Sequence, residues 1–360
     1  MEIPVSLGVR SYTIVVGDGA LATVGERLRA LGVGARAALV SDPTILRLHG
    51  KAVTASLDAA GFAVTTIEVP EGEAAKTLPV AERLWDRFLE AGLDRTSTVL
   101  ALGGGAVGDV AGFAAATFMR GMNVVQLPTT VLGQVDAAIG GKTAIDHPSA
   151  KNLVGAFHQP RLVVADLATL QTLPERDFRS GLAEVVKHGA VLDADYFAEV
   201  ERDVVPLGAR DVRTLERIIG GSCRLKASVI ERDEREAELR HVLNYGHTLG
   251  HAIEAATGYA RLTHGEAVSL GIVAEARLAV RLGISDRATA ARQERLLGEV
   301  GLPISAAGVD AAAVLAAMAH DKKARDGRVP FVLAPRIGTF RLVYDVPAAE
   351  VRAALAELAA

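Results

Sequence analysis

A single cysteine, Cys223, stands in 360 residues, which excludes an intramolecular disulfide and suits a reducing compartment. No apolar stretch reaches the roughly 18 residues a membrane helix needs. Residues 1–16 also lack a basic start leading into an apolar run, so neither a membrane span nor a signal peptide is expected, and the cytoplasm is the expected location. An excess of either charge is missing as well. A net charge of −4 and a pI near 6.2 offer no global attraction to nucleic acid or anionic membranes and confine anion binding to a local site. Lysine is scarce: only Lys51, Lys76, Lys142, Lys151, Lys187, Lys226, Lys322 and Lys323 among 39 basic residues. In a chain that spends arginine on surface charge, a lysine marks a place where a compact ammonium is needed and a planar fork does not fit. Lys51 suits an ordinary surface helix, whereas the other seven fall in or beside segments with functional signatures.

Half of the chain is hydrophobic, enough for a sizeable core and for two domains. Short apolar runs at 37–41, 63–69, 98–102, 124–127 and 162–165 are bounded by Gly, Pro or Asp and separated by helix-length intervals, the order of an open parallel sheet. From about Pro174 the pattern changes to long amphipathic segments at 180–192, 212–230, 242–257, 266–282 and 288–300. Further helices are expected at 311–319 and 347–360 around a short strand at 329–333. The expected architecture is a Rossmann-like α/β domain over residues 1–172 followed by an all-α domain over 173–360.

Ligands of such sheets bind at the carboxyl ends of strands, where Asp42, the glycines at 103–105, Thr129 and Thr130 fall. The run GGGAVGD at 103–109 follows a strand and opens an apolar helix, and Gly103, Gly105 and Gly108 satisfy the dinucleotide fingerprint, in which backbone amides approach a pyrophosphate. It follows the third strand candidate, however, and no acidic residue stands about 20 positions later to hold a ribose. A tight strand-to-helix turn is the plain alternative. A variant nucleotide fold, with an earlier Asp or Glu on the ribose, fits better than the standard one.

Three further segments carry chemistry. VDAAIGGKTAIDHPSAKN at 135–152 reads as an irregular loop around Gly140, Gly141 and Pro148, bearing Asp136, Lys142, Lys151 and Asn152 for phosphate and hydroxyl groups. In SGLAEVVKHG at 180–189, Glu184, Lys187 and His188 share a helical face. Residues 233–266 hold His241, His247, His251 and His264, four of nine histidines, with Glu236, Arg240 and Asn244. Asn244, His247 and His251 project from one face if the segment is a continuous helix, and Arg240 extends that face. Glu184 with His247 and either His251 or His264 makes a three-ligand metal site with an open position, and spacing does not choose between the two histidines.

The blocks GGGAVGDVAGFAAATFMRG, QLPTT, GGKTAIDHPSAKNLVGAFHQP, SGLAEVVKHG, DEREAELRHVLNYGHTLGHAIE, THGEAVSLG and DKK, in this order, resemble the 3-dehydroquinate synthase family over nearly the whole chain. The resemblance implies NAD+ on the α/β domain, a divalent metal (Zn2+ or Co2+) in a cleft between the domains, and a homodimer. Its implied metal ligands are Glu184, His247 and His264. NAD+ would be surrounded by Asp42, Glu71, Gly72, Glu73, Ala74, Ala75, Lys76, Gly105, Ala106, Val107, Gly108, Asp109, Thr129, Thr130, Lys142, Lys151, Thr169, Leu170, Gln171 and Thr172. The substrate, a sugar phosphate with a carboxylate, would meet Asp136, Lys142, Asn152, Lys187, Lys226, Glu236, Arg240, Asn244, His251 and one of Lys322 or Lys323, with Arg120 reaching the neighbouring subunit's phosphate site. The implied reaction is transient oxidation, phosphate elimination, re-reduction and aldol closure. Departures from the common family pattern, among them Ala106, Asp146 and His158, replace no residue assigned to metal or substrate, although Asp146 adds a negative charge near the nucleotide loop. Related cyclases making an inosose or valiolone, and metal-dependent polyol dehydrogenases, share these features. Lys226 with Arg240 suits a substrate carboxylate and favours dehydroquinate.

Overall fold

The computed structural model describes residues 1–148, 150–258, 261–306, 310–319 and 330–358. The chain forms two compact units, Met1–Leu173 with Leu215–Glu234, and Pro174–Thr214 with Arg235–Ala360.

The first unit is built on a seven-stranded sheet. Its strands are β1 (Glu2–Val5), β2 (Tyr12–Gly17), β3 (Arg36–Ser41), β4 (Ala63–Glu68), β5 (Thr98–Gly103), β6 (Asn123–Pro128) and β9 (Leu162–Asp166), in the order β1-β2-β9-β6-β5-β3-β4. All neighbours run parallel except β1, which pairs antiparallel with β2. Central strands are buried on both faces, and β5 (TVLALG) is buried at every residue, which is why they read as continuous apolar runs. Helices α1 (Val24–Ala30), α2 (Pro43–Ile45), α3 (Lys51–Ala59), α4 (Leu78–Glu90) and α5 (Gly105–Thr117) connect them. Leu28, Leu39, Leu57, Leu100 and Leu102 fill one core cluster, and Val40, Leu84, Phe88, Val99 and Val110 another. From β3 the chain moves outward to β4 and then returns to β5 on the opposite side of β3. That reversal is the switch point at which open sheets leave a crevice, and Ser41 is in register with Leu102 there.

The five expected strands are present. β1 and β2 were not expected; β1 is short and interrupted by Pro4. The segment expected to be an irregular loop is a hairpin instead: β7 (Lys142–His147) pairs antiparallel with β8 (Ala150–Phe157). Its apolar centre, Thr143, Ala144 and Ile145, is buried, and the flanking glycines and charges masked it. Although it falls among the residues expected to form the second unit, helix α9 (Val212–Arg232) lies mostly in the first. Within that unit Cys223 Sγ donates to Gln134 O at 3.3 Å, Ser6 N to Glu231 at 2.6 Å, and Arg10 pairs with Glu234 at 2.7 Å.

The second unit holds α6 (Glu175–Leu192), α7 (Ala194–Arg202), α8 (Val204–Gly208), α10 (His247–Ala256), α11 (His264–Arg281), α12 (Arg287–Glu299), α13 (Ala311–Ala319) and α14 (Ala348–Ala356). The short strand expected at 329–333 is β10 (Phe331–Leu333), which pairs antiparallel with β11 (Arg341–Val343), a strand not expected. Helix α6 is buried all round from Ser180 to Val191, so Glu184, Lys187 and His188 do not form a separate exposed polar face. The expected helix over 242–257 is broken. Leu239–Asn244 is a 3-10 turn, and α10 starts at His247 after Gly246, whose φ of 77° needs a glycine. Asn244 therefore does not share a helical face with His247 and His251. Close approaches set the helix spacing: a Cβ on Gly271 would lie 1.9 Å from Gly246 O, and one on Gly265 would lie 1.8 Å from Ser180 O.

Candidate functional site

Three helices of the second unit deliver Glu184 (α6), His247 (first residue of α10) and His264 (first residue of α11) to one place. Glu184 is fully buried, and neither of its carboxylate oxygens has a hydrogen bond of acceptable geometry. Its surroundings are cationic or ligand-type all the same. Lys187 Nζ contacts Oε2, and the Nε2 atoms of His247 and His264 stand 3.4 and 3.5 Å from Oε1. A buried carboxylate approached by ring nitrogens without hydrogen bonding is the arrangement a cation completes.

The tautomer of His247 follows from its neighbour. Its Nδ1 lies 3.0 Å from Tyr245 O, and a carbonyl only accepts, so the proton sits on Nδ1 and Nε2 presents a lone pair toward Glu184. His264 has its Nδ1 3.7 Å from Glu254 Oε2, which orients the ring from behind. The buried Glu275 accepts from Gly246 N at 2.7 Å and Leu249 N at 3.3 Å, capping the first turn of α10 and fixing where His247 begins. Glu254 and Glu275 were absent from the sequence reading. A lone acid in the apolar run GIVAEARLAV was the available signal for Glu275.

Burial works against charge on Glu184, yet the Lys187 ammonium beside it holds its carboxyl well below the usual carboxylate range. Burial and Lys187 together lower His247. Burial also opposes a proton on His264, but contacts with Glu184 and Glu254 outweigh it and push that imidazole up to about 10. The two imidazoles thus differ, a proton being disfavoured on His247 and favoured on His264.

Glu184, His247 and His264 offer ligand atoms within 4.8 Å of one another, a nitrogen and oxygen set that fits zinc or cobalt. His251, Glu254 and His264 form a second such group, and the His251 ring centroid is 5.2 Å from that of His247. The two groups differ in a measurable way. His251→Ala is expected to retain one tightly bound divalent ion per chain by elemental analysis, whereas His247→Ala loses it, and the reverse outcome assigns the ion to the second group.

In the first unit, α5 starts at Gly105 with Gly104 as N-cap and no side-chain capping bond, leaving first-turn N–H groups for an anion. The approach is lined closely: a Cβ on Gly104 would meet Thr130 Cγ2 at 3.3 Å, and one on Gly105 would meet Ala137 Cβ at 3.3 Å. Thr129 Oγ1, at the end of β6, is buried without a partner. These features fit a dinucleotide. Asp42 leaves β3 beside β5 across the switch point, which accounts for an acidic residue earlier than the standard fingerprint places it, and its Oδ1 accepts from Ile45 N at 2.9 Å. Glu71 accepts from Thr44 Oγ1, while Gly72, Glu73, Ala74 and Ala75 form a 3-10 turn.

Lys76 is buried with its ammonium 2.8 Å from Asp109 Oδ2 and against Asn152 Oδ1. Burial pushes the Asp109 carboxyl up to about 6 against the pull of Lys76. Lys151 stands 3.9 Å from Glu73. Thr169, Leu170 and Gln171 lie on a 3-10 turn after β9, and the hydroxyl of the following Thr172 is 2.9 Å from Nε2 of His49, a neighbour that sequence reasoning missed. Ala75, Val107 and Leu170 are core residues, so only their backbones are available to a ligand.

Of the residues expected to hold substrate, Lys226 and Asp136 meet in the first unit, Nζ lying 2.5 Å from Oδ1 and 2.6 Å from the backbone O. Lys142 opens β7 and is exposed. Arg120 is exposed and left-handed (φ 65°), directly after Met119 at φ 49°, two sparsely populated conformations in succession. In the second unit Lys187 donates to Leu243 O at 2.8 Å, Arg240 is buried on the 3-10 turn, and Asn244 Nδ2 donates to Glu236 Oε1 at 3.2 Å. The expected contact from Lys322 or Lys323 lies outside the described residues. Among the described residues no helix is long and apolar enough to cross a membrane.

Residues 66–180 match the family model for the 3-dehydroquinate synthase N-terminal region, and residues 181–324 match that for its C-terminal region. The 3-dehydroquinate synthase of Pelotomaculum thermopropionicum is 51% identical over 337 residues, covering 93% of this chain and 91% of that protein. A 2-deoxy-scyllo-inosose synthase structure, complexed with carbaglucose-6-phosphate, NAD+ and Co2+, superposes with a TM-score of 0.89 at 26% identity, covering 99% of this chain and 100% of the other. The 2-epi-5-epi-valiolone synthase of Streptomyces hygroscopicus subsp. jinggangensis, with NAD+ and Zn2+ bound, gives 0.89 at 30% identity over 98% of both chains. With both family models matched in succession and half of its residues shared with a relative along nearly its whole length, the chain belongs to the 3-dehydroquinate synthase family.

Proposed function

We propose that the chain converts 3-deoxy-D-arabino-heptulosonate 7-phosphate into 3-dehydroquinate and phosphate, as a cytoplasmic homodimer that uses NAD+ and a zinc or cobalt ion. The observation that carries this reading is the buried Glu184, without hydrogen bonds, facing Nε2 of both His247 and His264 beside Lys187. Glu184, His247 and His264 would hold the metal. The uncapped start of α5, with Asp42, Thr129, Thr130 and Lys76, would hold the dinucleotide. When bound, NAD+ supplies a reversible hydride acceptor for the substrate's C5 carbon and the ion supplies Lewis acidity at the oxygen there.

The protein's own residues bind, orient and exclude water. Lys226 and Arg240 suit the carboxylate, and Lys142, Lys187 and Asn152 suit the phosphate and hydroxyl groups. Arg120 would reach the phosphate site of a neighbouring subunit. Oxidation at C5 acidifies the C6 proton, which an oxygen of the departing phosphate takes as the C7–O bond breaks. A hydride at C5 would be taken and given back by the NAD+ held there without net change, and ring opening and aldol closure would complete the product.

Substrate choice tests the reading against the related cyclases. Metal-loaded protein with NAD+ is expected to release phosphate from the heptulosonate phosphate and, by at least about a hundredfold, less from glucose 6-phosphate or sedoheptulose 7-phosphate, which leave a carboxylate pocket unpaired. Release from either of these sugars alone would move the chain to the inosose or valiolone reaction.

A further inference from the structure

We propose that Asp146 is a positioning residue, holding Asn152 in a left-handed backbone conformation so that the buried Lys76 ties the nucleotide loop to the Asn152 carboxamide. The consequence for substrate rests on the proposed function, which places Asn152 at the substrate. The hold on the backbone does not.

The antiparallel register of β7 and β8 shifts between Ile145 and His147. At this irregularity the Asp146 N–H donates to Lys76 O at 2.7 Å. The Asp146 carboxylate accepts the backbone N–H of Asn152, also at 2.7 Å. One residue thereby fixes the backbone of two others. Asn152 has φ 53°, a conformation that costs a side-chain-bearing residue energy and that asparagine tolerates better than most. A charge-assisted bond to its N–H offsets that cost.

The side chains complete the tie. Asn152 Oδ1 contacts Lys76 Nζ, which is 2.8 Å from Asp109 Oδ2 and 4.0 Å from Asp146 Oδ1. Asp109 belongs to the first turns of α5, whose start is the expected pyrophosphate site. Without the Asp146 acceptor, Asn152 relaxes toward the extended region, and its carboxamide turns away from Lys76. Asparagine at 146 presents the same acceptor oxygen without the charge, so the bond and the charge are separable.

The test compares Asp146→Ala and Asp146→Asn with the unmodified enzyme, each loaded with zinc and NAD+. Amide exchange at Asn152 and steady-state kinetics with the heptulosonate phosphate are measured. Asp146→Ala is expected to exchange at Asn152 about tenfold faster and to raise KM about tenfold, the size of one charge-assisted bond, with kcat within about threefold. Asp146→Asn, which keeps the acceptor without the charge, is expected to lie between, within about threefold of the unmodified enzyme in both readouts. Unchanged exchange in Asp146→Ala, or equal impairment in the two variants, would overturn the proposal. If Asp146→Ala does not fold, Asp146→Ser, too short to reach the Asn152 N–H, replaces it with the same expectations. Exchange is read without turnover, so an unmodified enzyme inactive on this substrate would overturn the functional reading while exchange still decides what Asp146 does.

Discussion

Glu184→Gln is expected to lose its stoichiometric divalent ion and, at about 1.4 kcal/mol per tenfold, to lower turnover by about a thousandfold if the ion's Lewis acidity is worth about 4 kcal/mol. Glutamine keeps the volume of the side chain but removes the charge that offsets a dication. It also leaves the Lys187 ammonium buried beside a neutral amide. Lys187 is 1% exposed, and a buried ion stripped of its partner costs about 3–5 kcal/mol, so the variant should also unfold at lower temperature. Lys187→Met in the same chain separates the effects. The double variant is expected to regain much of the stability and none of the metal, as read by calorimetry and elemental analysis. Stoichiometric metal in Glu184→Gln would remove this carboxylate from the coordination sphere.

Gly265→Ala is expected to disrupt the same site without touching a ligand. The added Cβ would stand 1.8 Å from Ser180 O and 2.5 Å from its carbonyl carbon. Both are backbone atoms that cannot rotate away, and Ser180 Oγ already accepts the Gly265 N–H at 3.0 Å. Helices α6 and α11 must therefore separate, carrying Glu184 from His264, which precedes the substituted residue. Overpacking of this kind costs about 3 kcal/mol, and misplacing reacting groups by about 1 Å costs about a hundredfold in rate. Gly208→Ala is the control: nothing lies within 4 Å of its added Cβ, and a change within about 0.5 kcal/mol is expected. A melting temperature and metal content for Gly265→Ala equal to those of the control would contradict the packing argument.

Legibility from sequence followed the strength of the periodic signal. The five buried parallel strands announced themselves as apolar runs, and the glycine run at 103–105 marked the turn into α5. The hairpin of β7 and β8 did not, because its buried centre is only three residues long between charged ends. Helix α9 was recognised as a helix, but its assignment to the first unit depends on long-range contacts such as Lys226 with Asp136, which no local pattern carries. Histidine spacing alone left His251 and His264 as equal partners for Glu184 and His247. In the structure His264 belongs both to the group with His247 and to the group with His251, so the choice rests on which nitrogen faces Glu184, a tertiary property. The break at Tyr245 and Gly246 was visible only as a glycine inside a helical pattern, which helices often tolerate. It separates Asn244 from the histidine face.

The central claim is that the cofactor is used and regenerated within each turnover. Metal-loaded protein is mixed with the heptulosonate phosphate and NAD+ at a fraction of the enzyme's molar concentration, and phosphate, dehydroquinate and NADH are followed together. Phosphate and dehydroquinate are expected to appear in equal amounts, far exceeding the NAD+ supplied, with no net NADH. Accumulation of NADH without release of phosphate would contradict it and make the chain a dehydrogenase.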